Sequence, residues 1–249
     1  MPIRSLFFRK PRPAPVPFAA PGERVYAIGD VHGRADCLDT LLERIEADDA
    51  ARSPSQTRIV FLGDLVDRGA DSKGVIERAM RERHRAAFIM GNHEEVMLRA
   101  WEGDRESVRL FHRIGGRETL LSYGVDEHDY DRADIDELMR LLAAHVPPEH
   151  TAFLRSFKDA HRSGDYLFVH AGVRPGVALE EQRASDMRWI RREFLEDGRD
   201  HGAFVVHGHT VTRDVDQRDN RLGIDTGAYA SGRLTAVGLE GAERWFIQT

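Results

Sequence analysis

Short apolar runs alternate with stretches of helical period along most of the chain. Arg24-Val25-Tyr26-Ala27-Ile28 reads as a strand that stops at Gly29-Asp30-Val31-His32-Gly33. Leu38, Leu41, Leu42 and Ile45 recur at three- and four-residue spacing, which predicts a helix through Glu46. A polar loop at 50–56 leads to Thr57-Arg58-Ile59-Val60-Phe61-Leu62, an apolar segment that predicts a buried strand. It runs into Gly63-Asp64-Leu65-Val66-Asp67-Arg68-Gly69. Val75, Ile76, Ala79 and Met80 predict a second helix, and Ala86–Met90 a third strand before Gly91-Asn92-His93-Glu94. A helix through Val96, Met97, Leu98 and Trp101 follows, with Glu94 as an acid of its first turn. Residues 101–160 keep the helical period, broken at Gly115-Gly116 and Pro147-Pro148, and read as a helical insertion beside the site. Strands resume before His170-Ala171-Gly172, before His207-Gly208-His209 and before Asp225-Thr226-Gly227. Leu234–Leu239 and Trp245–Ile247 predict closing antiparallel strands.

Composition narrows the class. The 249 residues are 41% hydrophobic and 31% charged, which suits a globular chain with a sizeable core. The net charge of −6 gives no basic field for nucleic acid. A single cysteine, Cys37, rules out an intramolecular disulfide and a thiolate metal site, and fits a cytoplasmic location. No apolar run approaches the roughly 20 residues of a membrane span. Five prolines between Pro11 and Pro21 follow a basic start, so residues 1–23 read as a flexible tail and 24–249 as one domain.

Five strands thus end in potential ligands: Asp30 with His32, Asp64, Asn92 with His93, His170, and His207 with His209. A lone strand-end Asp is ordinarily a turn or a cap. Five such ends at one sheet edge point to a metal site. Carboxylate, imidazole and amide ligands without thiolate suit Mn²⁺, Fe or Zn²⁺. They outnumber the needs of one ion, so two ions sharing a carboxylate are expected, an arrangement that stabilises phosphoryl displacement.

In their order, Gly29–Gly33, Gly63–Gly69, Gly91–Glu94, His170-Ala171-Gly172 and Gly208-His209 resemble the PPP serine/threonine phosphatases, calcineurin-like metallophosphoesterases, and closest their bacterial and phage branch. The resemblance runs from about Val25 to Leu239. It implies an α/β fold of two packed mixed β-sheets flanked by helices. It implies that Asp30 and His32 hold one metal, that Asn92, His170 and His209 hold the other, and that Asp64 bridges both. Mn²⁺ is the expected ion, with Fe or Zn²⁺ as alternatives. His207 is expected to stand behind the ligands. Arg68 and Arg191, the latter in a Trp-x-Arg match at Trp189-Ile190-Arg191, would bind the phosphate together with Asn92 and His93. His93 would protonate the leaving oxygen, oriented by Asp67, after attack by a metal-bridging hydroxide. Asp225 is given a structural role.

The expected activity is therefore hydrolysis of phosphoserine and phosphothreonine in proteins. One alternative is a symmetrical diadenosine tetraphosphate hydrolase. Such relatives tend to carry Ala in place of Asp67 and Asp in place of Glu94, and this chain has neither. Another is an inactive phospho-binding module, which the intact ligands, His93 and Arg68 argue against.

Overall fold

A computed structural model describes residues 16–249 of the chain. Its strands are β1 (Glu23–Ile28), β2 (Gln56–Phe61), β3 (Ala86–Phe88), β4 (Ala160–Ser163), β5 (Tyr166–Val169), β6 (Phe204–His207), β7 (Asp216–Gln217), β8 (Arg221–Gly223), β9 (Thr235–Glu240) and β10 (Glu243–Gln248). They form two mixed five-stranded sheets, in the orders β10-β9-β1-β2-β3 and β4-β5-β6-β8-β7. Each sheet holds three adjacent parallel strands: β1, β2 and β3 in the first, β5, β6 and β8 in the second. The ligand-bearing strand ends are therefore shared between two sheets, where the sequence suggested one edge.

Side-chain alternation explains why the sheets stack. Val25, Ala27, Val60 and Leu62 of the first sheet meet Tyr166, Phe168, Phe204 and Val206 of the second in one apolar cluster. The alternate positions Tyr26, Ile28, Ile59 and Phe61 face the helical layer. Leu167, Val169 and Val205 cover the outer face of the second sheet against Ile190 and Phe194. Strands buried on both faces read as continuous apolar runs, which is why periodicity found them. Polar β4 and two-residue β7 carry no such signal and were not foreseen.

The helices are α1 (Ala35–Ala51), α2 (Ser72–Glu82), α3 (Asn92–Trp101), α4 (Arg105–Ile114), α5 (Gly116–Ser122), α6 (Glu127–Arg132), α7 (Ile135–His145), α8 (Pro148–Arg155), α9 (Ala184–Trp189), α10 (Arg192–Leu195) and α11 (Ala228–Ser231). Five of them, α4 to α8, lie within the segment read as a helical insertion. Val108, Phe111, Leu120, Leu138 and Leu142 join the same core as β1 and β2. Among the described residues no helix is long and apolar enough to cross a membrane.

The expected tail needs correction in its described part; residues 1–15 lie outside the described residues. Ala19 is buried, and its N–H donates to the Gly241 carbonyl in the β9–β10 turn. The Phe18 carbonyl accepts from Asp165 N–H, and Phe18 N–H donates to Asp165 Oδ2, in the β4–β5 turn. Ala20 N–H donates to Ser163 Oγ. Backbone groups that sequence assigned to solvent thus pair with both sheets.

Arg24 is the largest fully buried side chain. Its guanidinium donates to Glu240 Oε2 at 2.9 Å, to Asp49 Oδ1 at 2.7 Å and to the Ser53 carbonyl, joining β1 to α1 and β9. Arg24→Met is expected to cost about 2–3 kcal/mol. That lies below the roughly 3–5 kcal/mol of a fully buried pair, because both carboxylates keep some water contact. A urea midpoint within error of the wild type would refute it.

Candidate metal centre

The site lies where the parallel strands of both sheets end. β1 delivers Asp30 and His32, β2 delivers Asp64, and α3 opens with Asn92 and His93. β5 delivers His170, and the turn after β6 delivers His209. All of these side chains are buried, as is Asp67. His32, Asp64 and His93 form one group of converging ligand atoms, and Asp64, His170 and His209 a second, within 4.8 Å in each group. Asp64 belongs to both, which is the geometry of a carboxylate shared by two ions.

Hydrogen bonds tie both Asp30 and Asn92 to members of the second group. Asp30 Oδ2 accepts the His209 N–H at 3.0 Å, while its Oδ1 has no partner although buried. Asn92 Oδ1, His170 Nε2 and His209 Nδ1 converge, with separations of 2.9 and 3.1 Å from His170 Nε2. Three acceptor-type atoms gathered so closely, beside an orphaned carboxylate oxygen, fit a divalent cation's donor set. The outer nitrogens of two imidazoles are tied down. His32 Nδ1–H donates to the Val66 carbonyl and His170 Nδ1–H to the Leu62 carbonyl, each at 2.8 Å, which leaves Nε2 as the atom each ring could offer an ion.

Electrostatics calls for cations as well. Burial, with Asp225 and Asp64 nearby, raises the Asp30 carboxyl well above its usual range. Burial also disfavours the Asp64 carboxylate, but the His170 and His93 imidazoles outweigh it and hold its pKa well below normal. Burial drives His32 down to about 3, and burial with His170 drives His209 down to about 2. Both are neutral bases, the form that binds metal.

The backbone is bent to make this cluster. Among the described residues, the non-glycine positions with positive φ are His32 (47°), Asp64 (49°), Asp67 (71°), Arg68 (70°) and His209 (65°). Every one is a site residue expected from the sequence. Such conformations cost about 1–3 kcal/mol each and persist only where the surroundings enforce them. Glu94 supplies part of that enforcement. It does sit in the first turn of α3, yet its buried carboxylate accepts from the N–H groups of Asp64, Leu65, Val66 and Gly91. Two glycines leave the room required. A Cβ on Gly208 would lie 1.9 Å from Asp30 Oδ1, and one on Gly91 2.2 Å from Asp64 Oδ1.

Beside the ligands runs a polar chain. His93 Nδ1–H donates to Asp67 Oδ2 at 2.7 Å. Thr119 Oγ1 of α5 donates to Asp67 Oδ1 at 2.7 Å and accepts from Asp67 N–H, which also reaches Ser72 Oγ. Burial opposes the His93 imidazolium, but Asp64 and Asp67 overcome it and raise its pKa. Proximity alone would admit His93 as a ligand; the carboxylate on its Nδ1 marks it off from His32 and His170, whose Nδ1 atoms face carbonyls. Arg68 Nη1 reaches His32 Nε2 and Nη2 reaches His93 Nε2, both at 3.0 Å. Exposed Arg191 stands at the rim, and its charge contributes to the lowered pKa of His209.

His207 does not join either group. Its Nδ1–H donates to the Gly208 carbonyl, its Nε2 faces Arg221, and its ring packs edge-on against Phe194. Asp225 accepts the Gly227 N–H on Oδ1 and keeps a buried, unpartnered Oδ2. Sequence reasoning missed Thr119 and Ser72. Their hydroxyls matter only because α5 and α2 bring them to Asp67, and nothing local in the chain announces that.

A family model described as calcineurin-like phosphoesterase matches residues 23–225. The asymmetrical bis(5'-nucleosyl)-tetraphosphatase of Anoxybacillus flavithermus is 26% identical over 84% of this chain and 88% of its own. Serine/threonine-protein phosphatase 1 of Salmonella typhimurium is 27% identical over 87% and 92%. The symmetrical bis(5'-nucleosyl)-tetraphosphatase of Delftia acidovorans is 32% identical over 64% of this chain, which spans about half of that relative, 48%. Among solved structures, a putative diadenosine tetraphosphatase superposes with a TM-score of 0.63 at 21% identity, covering 93% of this chain and 98% of its own.

Proposed function

Because the chain belongs to the calcineurin-like phosphoesterase family, we propose that it is a two-metal phosphohydrolase whose substrate is a dinucleoside tetraphosphate. The observation that supports hydrolysis is the pair of ligand groups sharing Asp64 beside the Asp67-held His93. The substrate class rests on the near full-length likeness to an asymmetrical bis(5'-nucleosyl)-tetraphosphatase. In this reading Asp30 and His32 would hold one ion, Asn92, His170 and His209 the other, and Asp64 both. Mn²⁺ is the favoured ion, with Fe or Zn²⁺ as alternatives. Two bound cations would acidify water and neutralise the phosphoryl oxygens.

The chain's own residues do the rest. The forked guanidinium of Arg68 matches two phosphate oxygens, and Arg191 at the rim adds a second positive charge against a polyanion. His93 Nε2 can accept from Arg68 or carry a proton, but not both. A phosphate that draws the Arg68 fork to itself frees Nε2 to hold a proton. Water loses a proton to solvent as it adds to phosphorus, the bond to the departing oxygen breaks, and that oxygen takes the His93 proton. Asp67, fixed by Thr119 and Ser72, keeps Nδ1 protonated and stabilises the imidazolium, as the aspartate of a catalytic triad does.

The second reading, a phosphoprotein phosphatase, is favoured by that same dyad. A serine alkoxide is a far stronger base than a nucleotide phosphate and has more need of an acid. The near full-length likeness to a serine/threonine-protein phosphatase supports it too. Turnover with Mn²⁺ on diadenosine tetraphosphate and on a phosphoserine peptide separates the two. The proposal expects higher kcat/KM on the dinucleotide, with ATP and AMP as products. ADP alone would indicate symmetrical cleavage, and preference for the peptide would overturn the substrate assignment.

Asp67→Asn tests the dyad. The carboxylate helps hold the His93 pKa above its ordinary value, so its loss lowers that pKa. The acid form then disappears at lower pH, and the basic limb of kcat/KM on phenyl phosphate, a poor leaving group, shifts in the acid direction. An unmoved limb would count against His93 as the proton donor.

A further inference from the structure

Among the described residues, the large hydrophobic side chains left exposed are Val16, Phe18, Trp189, Val211, Tyr229 and Phe246. Scattered single examples are ordinary on any surface. Two of these are aromatic rings fastened to elements that carry different parts of the metal centre.

Tyr229 lies on the side of His32. Its ring meets the His32 imidazole edge-on at 5.4 Å, and the Arg68 guanidinium lies over it at 4.8 Å from the centroid. It is carried by α11, a single turn between the left-handed Gly227 and Gly232. That turn is fastened by Arg34, which donates to the Ala228 carbonyl at 2.7 Å, and by Ser231 Oγ, which donates to the Thr226 carbonyl. Tyr229 is nevertheless 38% exposed.

Trp189 is tied to the elements that carry Asn92 and His170. Its indole N–H donates to Glu95 Oε2 at 2.8 Å, and Glu95 follows Asn92 and His93 on α3. The Met187 carbonyl, two residues before it, accepts from Ala171 N–H, immediately after His170. Arg188 also pairs with Glu95, and Ile190 is buried. The indole is thus pinned by its polar edge while 39% of the residue stays open. Arg191 is two residues further on.

Each exposed ring therefore accompanies one of the two phosphate-facing arginines. We infer that Tyr229 and Trp189 are stacking platforms for the two nucleobases of a dinucleoside polyphosphate, one at each side of the cluster. This rests on the substrate class proposed above. Fixed aromatic faces suit it, because stacking gains energy without a base-specific hydrogen-bond pattern and loses little side-chain entropy.

The test compares diadenosine tetraphosphate with inorganic tetraphosphate, which has the same polyanion and no base. Mn²⁺-loaded wild type, Tyr229→Leu, Trp189→Leu, Tyr229→Phe and Trp189→Phe are assayed on both. The ratio of the two kcat/KM values cancels any displacement of Arg68 or Arg191, which acts on both substrates. Each Leu variant is expected to lower the ratio at least about fivefold through KM for the dinucleotide, the size of one lost stacking contact. Tyr229→Phe is expected to keep the wild-type ratio, and Trp189→Phe, which keeps a ring but loses the bond to Glu95, to retain more of it than Trp189→Leu. A ratio within twofold of the wild type in either Leu variant overturns the assignment of that ring. Wild type that cleaves a phosphoserine peptide but neither cleaves nor is inhibited by diadenosine tetraphosphate overturns the substrate class, and this inference with it.

Discussion

Asp64→Asn is expected to leave a folded chain that no longer retains two equivalents of Mn²⁺ after gel filtration, and that turns over at least about 10³-fold more slowly, a loss of roughly 4 kcal/mol of transition-state stabilisation. The size follows from position. Asp64 is the one side chain common to both ligand groups, so its carboxylate is the charge that two cations would share. Asn keeps the shape and an amide oxygen to accept the His93 N–H, a bond of 3.1 Å in the native chain. It also tolerates the left-handed backbone at this position, where φ is 49°. The variant therefore removes charge with little disturbance of the loop. Near-normal metal content by elemental analysis would sink the bridging role, and thermal unfolding of the metal-free forms checks that both are folded.

His93→Asn should separate chemistry from metal binding. Metal content is expected to hold, because the ligand atoms of His32, Asp64 and His170 remain. The rate on phenyl phosphate, a poor leaving group, is expected to fall by about 10²–10⁴. On p-nitrophenyl phosphate, whose leaving oxygen needs no proton, the loss is expected to be much smaller. Equal defects on both esters would argue against a general acid, and loss of one metal equivalent would make His93 a ligand instead. The structure gives this experiment its point, since His93 Nε2 also lies 3.8 Å from Asp64 Oδ2.

Much of this arrangement is legible in the chain because each candidate ligand sits within a few residues of a strand end. Asp30, Asp64 and His170 follow apolar runs that can only be buried strands, and glycines mark the turns after them. What could not be read involves distance along the sequence. The partition of strands into two sheets depends on which apolar faces meet, and Val25 and Tyr26 look alike until they point to opposite sides. Thr119 reaches Asp67 across 52 residues. Glu94 looked like an ordinary first-turn acid because its four backbone partners are invisible to composition. The strained φ angles left no trace either, since Asp and His are unremarkable residues until the loop closes on them. Proline content also misled: it described the approach to β1 as a tail, although the carbonyl of Phe18 and the amide of Ala19 are already part of the sandwich.

That last segment changes where the catalytic unit can be cut. A boundary drawn at the first strand residue would keep every ligand, both arginines and the whole helical layer. It would also remove the short span that fastens the β9–β10 turn of one sheet to the β4–β5 turn of the other. Both turns lie at the end of the strands opposite Asp64 and His170, so losing the span is expected to loosen the packing of one sheet on the other while leaving each candidate ligand on its own strand. Recombinant versions, fusions and affinity tags are better joined ahead of Val16, with the clasp left in place.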